Sequence, residues 1–418
     1  MKFTYGQDYS NVDGIDLSPY NLEKGDKKYI KSDNKEVFDF VGFILDEGNL
    51  LSVFPKHYYS DLELKDLNRD RKANSEDIKL LFDVFMKYTK EVSTTARATK
   101  YIGAKPEFES DYPFTSFFEI YKYFRQYGIY RESNTEVKPN TNGSVAWKKT
   151  IQKAQMIVSN GNLIFSPLYR VKKRQQNVFL SECMVFVIDH TINSFPYFIR
   201  LPKTGYKISS FDFIKHREYT LQQLRQISSK TFKDTQKKLI THLIDFFEQY
   251  KTSPKGGDVH IKINYFDKIW ERMVSNYLNR YFKCVDEVSD SIIFDKSLVS
   301  SSLKFESIEL PIDDSPHQFK IRLDHHAKQD DSIYIFDSKY YYTVSDLNYK
   351  QFSYNELLRG NVSKSTEIFS ALILPNNFTY SNRHFLFSPA YLGDRTTGTK
   401  ILEQYLCIKE VMQAYLSN

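Results

Sequence analysis

The order of apolar patterns after residue 258 constrains the fold of this chain more than any other feature. Residues 266–282 repeat apolar side chains with the 3.6-residue period of a helix that buries one face. Later segments alternate between apolar and polar residues or are continuously apolar, as strands are. The predicted order is helix, strand, strand, helix, strand, strand, helix, over residues 266–282, 317–324, 332–342, 354–358, 368–375, 384–393 and 401–416. This order predicts a mixed α/β fold with one mixed sheet flanked by helices.

The rest of the chain also mixes helices and strands, and one segment separates it from the region just described. Residues 251–258, KTSPKGGD, contain Pro, Ser and two Gly and are typical of a linker. We therefore expect an N-terminal mixed α/β region of one or two subdomains over residues 1–250 and a C-terminal domain over residues 259–418. At roughly 150 residues per domain, a chain of 418 residues accommodates two or three such units.

Local patterns predict several elements of the N-terminal region. Two apolar runs flank DEGN at residues 46–49, which predicts a hairpin. Residues 60–77 are expected to form a charged loop, residues 169–176 a short basic loop, and residues 183–189 a strand. Helical spacing predicts helices that begin near residue 75 and cover residues 114–127, 221–228 and 235–250.

Composition excludes several classes of protein. With 41% hydrophobic and 26% charged residues, the chain is typical of a folded protein in water. No apolar run approaches the roughly 18–20 residues of a membrane helix, and the N-terminus lacks the apolar segment of a secretory signal. Three scattered cysteines without a CxxC pair argue against a disulfide framework and a structural zinc site. We therefore expect a cytoplasmic protein, and its net charge of +6 allows a nucleic-acid partner without requiring one.

The chemistry is carried by the segment that follows the apolar run at residues 333–336. Because side chains alternate along a strand, Asp337 and Lys339 lie on one face, and a neighbouring antiparallel strand ending at Asp324 would bring a second carboxylate alongside. Two converging carboxylates suit Mg²⁺, which Mn²⁺ could replace, and Glu271 on the preceding helix could complete the metal ligands. Lys339 could orient the attacking water. The pattern predicts metal-assisted hydrolysis of a phosphodiester.

The tripeptide Asp-x-Lys is by itself a weak signal. It also occurs at residues 26–28, 33–35 and 77–79. The context of Asp337 strengthens it, because an apolar run directly precedes it and a second Asp ends the strand before.

With RLD at residues 322–324, IFDSKYY at 335–341 and YKQFSY at 349–354, the chain resembles the PD-(D/E)xK nuclease superfamily. An Asp-x-Lys motif followed by Lys-Gln near the start of the next helix is similar to McrC-type and LlaJI-type restriction nucleases. Residues 40–58 and 143–151 also resemble signatures of the LlaJI family. The chain departs from the superfamily pattern in having Leu rather than Pro directly before the first Asp.

The resemblance implies a PD-(D/E)xK nuclease core over residues 259–418. It implies a Mg²⁺-dependent endonuclease subunit of a bacterial anti-phage restriction system, which acts on double-stranded DNA with a McrB-like AAA+ NTPase and a cognate DNA methyltransferase. Residues 1–250 would contact the NTPase and perhaps the DNA. Cutting both strands would need two nuclease domains, so we expect transient pairing of two copies on DNA. Lys350 and Gln351 would support the active site, and Lys350 is also a candidate DNA contact.

Some candidate DNA contacts rest on charge alone. His325 is expected in a loop after Asp324, near the scissile phosphate. A basic cluster could bind backbone phosphates, although a solvated turn explains it equally well. The cluster consists of Arg170, Lys172, Lys173 and Arg174.

Two other functions remain open at this stage. The chain could be a stand-alone type II restriction endonuclease whose residues 1–250 read the DNA sequence. It could also be a non-catalytic DNA-binding or assembly subunit on a nuclease-derived fold, although the intact acidic pair and lysine count against this. The sequence contains no GxxxxGK[ST] loop, so any NTP hydrolysis is expected from a partner.

Overall fold

The helices and strands of this protein are taken from a computed structural model that describes residues 2–46, 48–98, 108–207, 209–250, 259–313, 319–363, 365–392 and 398–417. The α-helices of these residues are α1 (Asp61–Asp70), α2 (Ser75–Ala98), α3 (Phe114–Tyr127), α4 (Trp147–Lys153), α5 (Phe179–Ser194), α6 (Arg217–Lys230), α7 (Asp234–Gln249), α8 (Phe266–Tyr281), α9 (Tyr349–Arg359) and α10 (Ile408–Leu416). Within the described part, no helix has the length and apolar character needed to span a membrane.

The strands of the described residues are β1 (Lys2–Gln7), β2 (Lys27–Ile30), β3 (Lys35–Phe38), β4 (Val41–Asp46), β5 (Asn49–Phe54), β6 (Phe108–Ser110), β7 (Glu132–Pro139), β8 (Ser144–Val145), β9 (Gln155–Ser159), β10 (Asn162–Ser166), β11 (Tyr169–Gln176), β12 (Val259–Ile263), β13 (Phe282–Asp286), β14 (Ser291–Phe294), β15 (Glu306–Pro311), β16 (Lys320–Gln329), β17 (Ser332–Ser338), β18 (Glu367–Asn376), β19 (Tyr380–Leu386) and β20 (Lys400–Cys407). The chain groups into two compact units, Met1–Tyr112 with Thr252–Asn418, and Pro113–Lys251.

The first unit contains a sheet in the order β1-β5-β4-β12-β6. β4 and β5 form the predicted hairpin, with Asp46 opposite Asn49, and this prediction is confirmed. β1 pairs in parallel with β5, and β12 pairs antiparallel with β4. The hairpin side chains Ile44, Leu51 and Val53 are buried in a cluster with other apolar residues, which holds this sheet together.

The other large sheet of this unit has the order β15-β16-β17-β18-β20-β19. β16 and β17 form an antiparallel hairpin, whereas β17, β18 and β20 run parallel. The chain passes from β17 to β18 through α9, because parallel neighbours need a crossover connection. The mixture of parallel and antiparallel pairs confirms the predicted mixed α/β class.

Two helices position this sheet. Trp270 on α8 is fully buried and donates a hydrogen bond from Nε1 to the carbonyl oxygen of Ile373 on β18 at 3.3 Å. On α9, Tyr354 and Leu358 pack against the buried cluster that includes Ile333 and Ile335 of β17. The amphipathic helix predicted over residues 266–282 is thereby confirmed as α8, whose apolar stripe is its buried face.

Two predicted elements near the C-terminus are wrong in part. Residues 401–416 are predicted as one helix, but β20 ends at Cys407 and α10 begins at Ile408. β20 is an inner strand of the sheet, between β18 and β19. Consecutive side chains of β20 are buried, so both of its faces are covered and its sequence does not alternate between apolar and polar residues. The strand predicted over residues 384–393 instead spans Tyr380–Leu386.

A predicted loop of the first unit is also partly wrong, because residues 60–77 contain α1. The helix begins after Ser60, whose side chain accepts a hydrogen bond from the backbone N–H of Glu63. The Glu63 carboxylate in turn accepts the backbone N–H of Ser60 at 2.8 Å. This reciprocal capping box starts a helix in a segment whose charge suggested a loop.

The second unit holds α3 to α7 and two small sheets, β7-β11-β8 and β10-β9. The basic loop predicted over residues 169–176 is strand β11, and the strand predicted over residues 183–189 lies inside α5. Both predictions are therefore wrong. α5 is apolar around most of its circumference and buries residues on several sides, so its sequence shows no helical period.

The compact units differ from the predicted domain bounds. β12, which directly follows the predicted linker, pairs with β4 and β6. Backbone hydrogen bonds of β12 therefore join the C-terminal part of the chain to the N-terminal sheet. Residues 113–251, which separate these two parts in the sequence, form a compact unit of their own. The linker at 251–258 lies outside the described residues, and the functional division at residues 250 and 259 stays a prediction.

Candidate functional site

The candidate site lies where β16 and β17 stop pairing. The last residues in register are His325 and Phe336, so Asp324 and Asp337 are the next residues along the two strands. The prediction that Asp324 ends its strand is wrong, because β16 continues to Gln329 and includes His325, which was expected in a loop. Its polar residues conceal a strand because the outward face of a hairpin needs no apolar side chains.

β16 is irregular at Asp324. Along the pairing with β15, His326 lies opposite Glu306 but Leu323 lies opposite Ile308, so β16 has one extra residue over this stretch. An extra residue of this kind redirects nearby side chains and is common beside active sites. Leu323 remains in the buried cluster while Asp324 approaches Asp337.

The carboxyl groups of Asp324 and Asp337 lie close enough to interact. Burial, the polar contact with Asp337 and the negative charge of Asp337 raise the pKa of Asp324 to about 7. Burial also opposes ionisation of Asp337, but the charge of Lys339 and the contact with Asp324 outweigh it and lower its pKa. Asp324 therefore binds a proton more readily than Asp337 does. A divalent cation that displaced this proton would relieve the repulsion between the two carboxylates.

Two lysines contact Asp337. Nζ of Lys339 forms an ion pair with Oδ2 of Asp337, and Nζ of Lys350 lies 3.4 Å from Oδ1. The side chain of Lys339 is 14% exposed and that of Lys350 is 44% exposed, so Lys350 has more access to a bound anion. Burial lowers the pKa of Lys350, but the charges of Asp337 and Asp324 outweigh it and raise the value, which keeps this lysine protonated.

Glu271 reaches the edge of the site from α8. Its Oε1 accepts a hydrogen bond from Nη2 of Arg322 at 2.5 Å. After burial and Asp337, its negative charge also contributes to the raised pKa of Asp324. Among the described residues, no three His, Cys, Asp or Glu side chains are arranged to hold a metal ion. The carboxyl pair offers two of the oxygen ligands that Mg²⁺ prefers, and this ion commonly keeps several waters. Asp324 and Asp337 therefore fit such an ion, whereas one carboxylate oxygen of Glu271 is already bound by Arg322.

The start of α9 is fixed against β17. The side chain of Asn348 caps the helix by accepting the backbone N–H of Gln351 at 2.9 Å. Gln351 is buried and donates from Nε2 to the carbonyl oxygen of Ile335 at 2.6 Å. Ile335 is two residues before Asp337, and Lys350 is next to Gln351. The geometry thus gives Gln351 a part in setting the approach of Lys350 to Asp337, and its predicted place in catalysis stays a prediction.

His325 does not lie where the sequence predicts. It is a buried residue of β16, and its Nε2 lies 2.7 Å from Oγ of Ser338. Burial lowers the pKa of this histidine to about 4. The predicted loop position of His325 is therefore wrong, and its contact with DNA stays a prediction.

The remaining candidate DNA contacts belong to the second unit, on β11. The guanidinium of Arg170 donates to the carbonyl oxygen of Gly143 at 2.9 Å. Lys172 and Lys173 are exposed, and their backbones pair with β7. The side chain of Arg174 lies outside the described part of the structure. DNA binding by these residues stays a prediction.

Two residues after β5 also reach this region, although the sequence offers no chemical reason to select them. The backbone N–H of Lys56 donates to the hydroxyl of Tyr340 at 2.9 Å, and Nε2 of His57 lies 2.9 Å from the carbonyl oxygen of Tyr342. Tyr340 directly follows Lys339. The sequence signals are the resemblance of residues 40–58 to a family signature and the aromatic run after Asp-x-Lys, and only the fold brings the two segments together.

Comparison with known proteins gives one family. The model of the LlaJI restriction endonuclease family matches residues 40–387. No curated protein matches the chain. One similar solved structure is a refined half-complex from the tetradecameric assembly of Thermococcus gammatolerans McrB AAA+ hexamers with bound McrC. The matched chain is 10% identical, 99% of this chain and 98% of that chain are covered, and the TM-score is 0.35. A likeness at this level carries no argument about fold or function.

Proposed function

This chain belongs to the LlaJI restriction endonuclease family, and we propose that it is a Mg²⁺-dependent DNA endonuclease whose active site contains Asp324, Asp337 and Lys339. The observation that carries the proposal is the pair of interacting carboxyl groups beside Lys339 and Lys350. Removing two acidic groups from water costs stability unless another group compensates. A site for a divalent cation and a phosphodiester explains why the fold brings them together.

Each residue of the proposed active site has a separate role in phosphodiester hydrolysis. Asp324 and Asp337 would hold the ion, with Glu271 as a further candidate ligand. When bound, Mg²⁺ supplies positive charge to the phosphate and lowers the pKa of a coordinated water. Lys339 holds its ammonium group beside Asp337, where it can stabilise negative charge that develops on the phosphate. Lys350 is exposed enough to bind a substrate phosphate, and Gln351 holds the helix from which Lys350 projects. This set follows the PD-(D/E)xK pattern, and we place residues 259–418 in that superfamily.

We further propose that the chain works in the bacterial cytoplasm as the nuclease subunit of a restriction system. Its partners would be double-stranded DNA, a McrB-like AAA+ NTPase and a cognate DNA methyltransferase. Support comes from the resemblance of residues 337–339 and 350–351 to McrC-type nucleases, and from the lack of a GxxxxGK[ST] loop in this sequence. Two copies would pair transiently on DNA to cut both strands.

The catalytic part of the proposal is tested by plasmid cleavage with matched variants. Asp337→Asn removes the charge of the proposed metal ligand. Asp290→Asn is the control, since Asp290 is also a poorly exposed carboxylate of the first unit, paired with Arg383 and Lys400. We expect Mg²⁺-dependent cleavage by the wild type and by Asp290→Asn, and none by Asp337→Asn or in EDTA. Cleavage that persists in chelator would refute the metal mechanism, and equal loss in both variants would make Asp337 structural.

The partner is tested in the same assay. The protein is incubated with DNA alone, or with a co-encoded AAA+ protein and ATP or GTP. Cutting only with partner and nucleotide supports the subunit proposal. Cutting by the chain alone at discrete sites would replace it with a stand-alone type II enzyme.

A further inference from the structure

The chain leaves the sheet directly after the proposed catalytic lysine. The pairing of β17 with β18 ends at Ser338 and Ile373, and the backbone N–H of Lys339 adds one more bond to the carbonyl oxygen of Ile373 at 2.9 Å. Residues 340–342 belong to neither a strand nor a helix. Lys339 is therefore anchored by the sheet on one side only. Its position also depends on what holds Tyr340.

Tyr340 is held by two residues of the N-terminal sheet region. Its hydroxyl accepts the backbone N–H of Lys56 at 2.9 Å, and the carboxylate of Asp8 is close enough to interact with it. Nζ of Lys56 donates to the carbonyl oxygen of Tyr340 at 3.2 Å and lies 4.4 Å from the centre of its ring. The same ammonium lies 3.7 Å from Oδ2 of Asp8. Lys56 thus contacts the backbone, the ring and the hydroxyl of the residue next to Lys339.

Tyr342 is held in the same way. Nε2 of His57 lies 2.9 Å from its carbonyl oxygen, and the two ring centres are 4.5 Å apart. The hydroxyl of Tyr342 accepts a hydrogen bond from Nε2 of Gln7 at 2.8 Å. His57 has a φ of 60°, in the left-handed region that non-glycine residues adopt at a cost. We call Asp8, Lys56, His57, Tyr340 and Tyr342 the tyrosine clasp.

We propose that Lys56 is a positioning residue that acts through Tyr340 to hold Lys339 against Asp337. This inference rests on the proposed nuclease function of Asp337 and Lys339. The flexible stem of lysine, with four methylene groups, does not by itself fix the ammonium group, so a firmly held backbone narrows the positions open to it. A displacement of about 1 Å at a catalytic group can cost about a hundredfold in rate. The clasp makes the N-terminal sheet a working part of the nuclease unit, in agreement with the grouping of residues 1–112 with 252–418.

The test compares two poorly exposed lysines. Lys56→Met removes the charge and keeps the length of the side chain, and Lys56→Arg restores the charge. Lys262→Met is the matched control, because Lys262 is 4% exposed on β12 of the same unit and pairs with Asp26 at 2.7 Å. Rates are measured at saturating Mg²⁺ below the unfolding temperature of every variant, with the AAA+ partner if wild type needs it.

We expect Lys56→Met to lower kcat at least tenfold with KM for DNA unchanged, and Lys56→Arg to recover part of the rate. Lys262→Met should lose thermal stability but keep its kcat. A loss in both methionine variants that follows the folded fraction would overturn the inference, and so would a change in KM alone. If Lys56→Met does not fold, Asp8→Asn is used in its place. This change keeps an oxygen for Tyr340 but removes the negative charge that pairs with Lys56. An unchanged kcat in Asp8→Asn would then refute the positioning role of Lys56.

The failure of this inference can be told apart from failure of the proposed function. If Asp337→Asn cuts DNA as the wild type does, the proposed active site is wrong. If Asp337→Asn is inactive while Lys56→Met has the wild-type kcat, only the positioning role of Lys56 is wrong.

Discussion

Asp324 should destabilise the metal-free protein at neutral and alkaline pH. Burial and the neighbouring Asp337 raise its pKa from 3.8 to about 7. For an acid whose pKa is raised by folding, the stability it contributes is complete below the unfolded pKa and is lost as the pH rises through the folded pKa. One pKa unit corresponds to about 1.36 kcal/mol, so a shift of about 3 units sets an upper bound of about 4 kcal/mol. Because Asp324 is only partly buried, screening by solvent reduces the expected effect to about 1–3 kcal/mol.

The perturbation is Asp324→Asn, which keeps a donor for Asp337 but removes the titrating charge. Thermal unfolding is measured in EDTA at pH 5 and pH 8. We expect the variant to unfold at a higher temperature than the wild type at pH 8, and this advantage to shrink or vanish at pH 5. Added Mg²⁺ should then stabilise the wild type at pH 8 but have little effect on the variant, which should not cleave DNA.

A control with the opposite sign comes from Asp290. Burial opposes its ionisation, but hydrogen bonds from Lys400 and Arg383 outweigh this and lower its pKa. Its contribution is therefore present above the unfolded pKa, and Asp290→Asn should destabilise the protein at pH 8. If Asp324→Asn also loses stability at pH 8, as much as at pH 5, the carboxyl pair does not repel and the argument for a cation site at this position fails.

Three other changes test the remaining roles. Gln351→Ala should cost about 1–3 kcal/mol in urea unfolding, because the buried carbonyl of Ile335 loses its donor; unchanged stability would contradict that hydrogen bond. Replacing Lys172 and Lys173 together by Ala should make the plot of log binding constant against log salt concentration less steep, by the equivalent of about two phosphate contacts. An unchanged slope would show that these lysines do not contact DNA. Glu271→Gln should lower the pKa of Asp324, so the pH-dependent loss of stability of the metal-free protein should occur at lower pH. Complete loss of DNA cleavage in this variant would identify Glu271 as an essential metal ligand. Partial cleavage would mean that Asp324 and Asp337 suffice to hold the ion.

The sequence determined the elements whose burial is one-sided. α8 and the β4–β5 hairpin are recognisable because one apolar stripe, or one turn between two apolar runs, is a local property of the chain. α5 and β20 were predicted wrongly because neighbouring elements surround them, and a segment buried on most sides shows no period. The predicted strand ends too early, at Asp324, because the later residues of β16 are mostly polar. β16 nevertheless continues as a strand by pairing with the apolar strand β17.

The candidate site divides in the same way. Asp324, Asp337 and Lys339 could be selected from the sequence because two consecutive strands bring near neighbours in the chain together. Only the tertiary structure decided that the pKa of Asp324 is raised, that His325 is buried, and that Lys56 contacts a tyrosine 284 positions away. The physical reason is that a pKa or an ion pair depends on which distant segments exclude water and bring charge. The spacing of residues along the chain does not contain these distant contacts. They form when the N-terminal sheet, α8 and α9 pack against the region of β16 and β17.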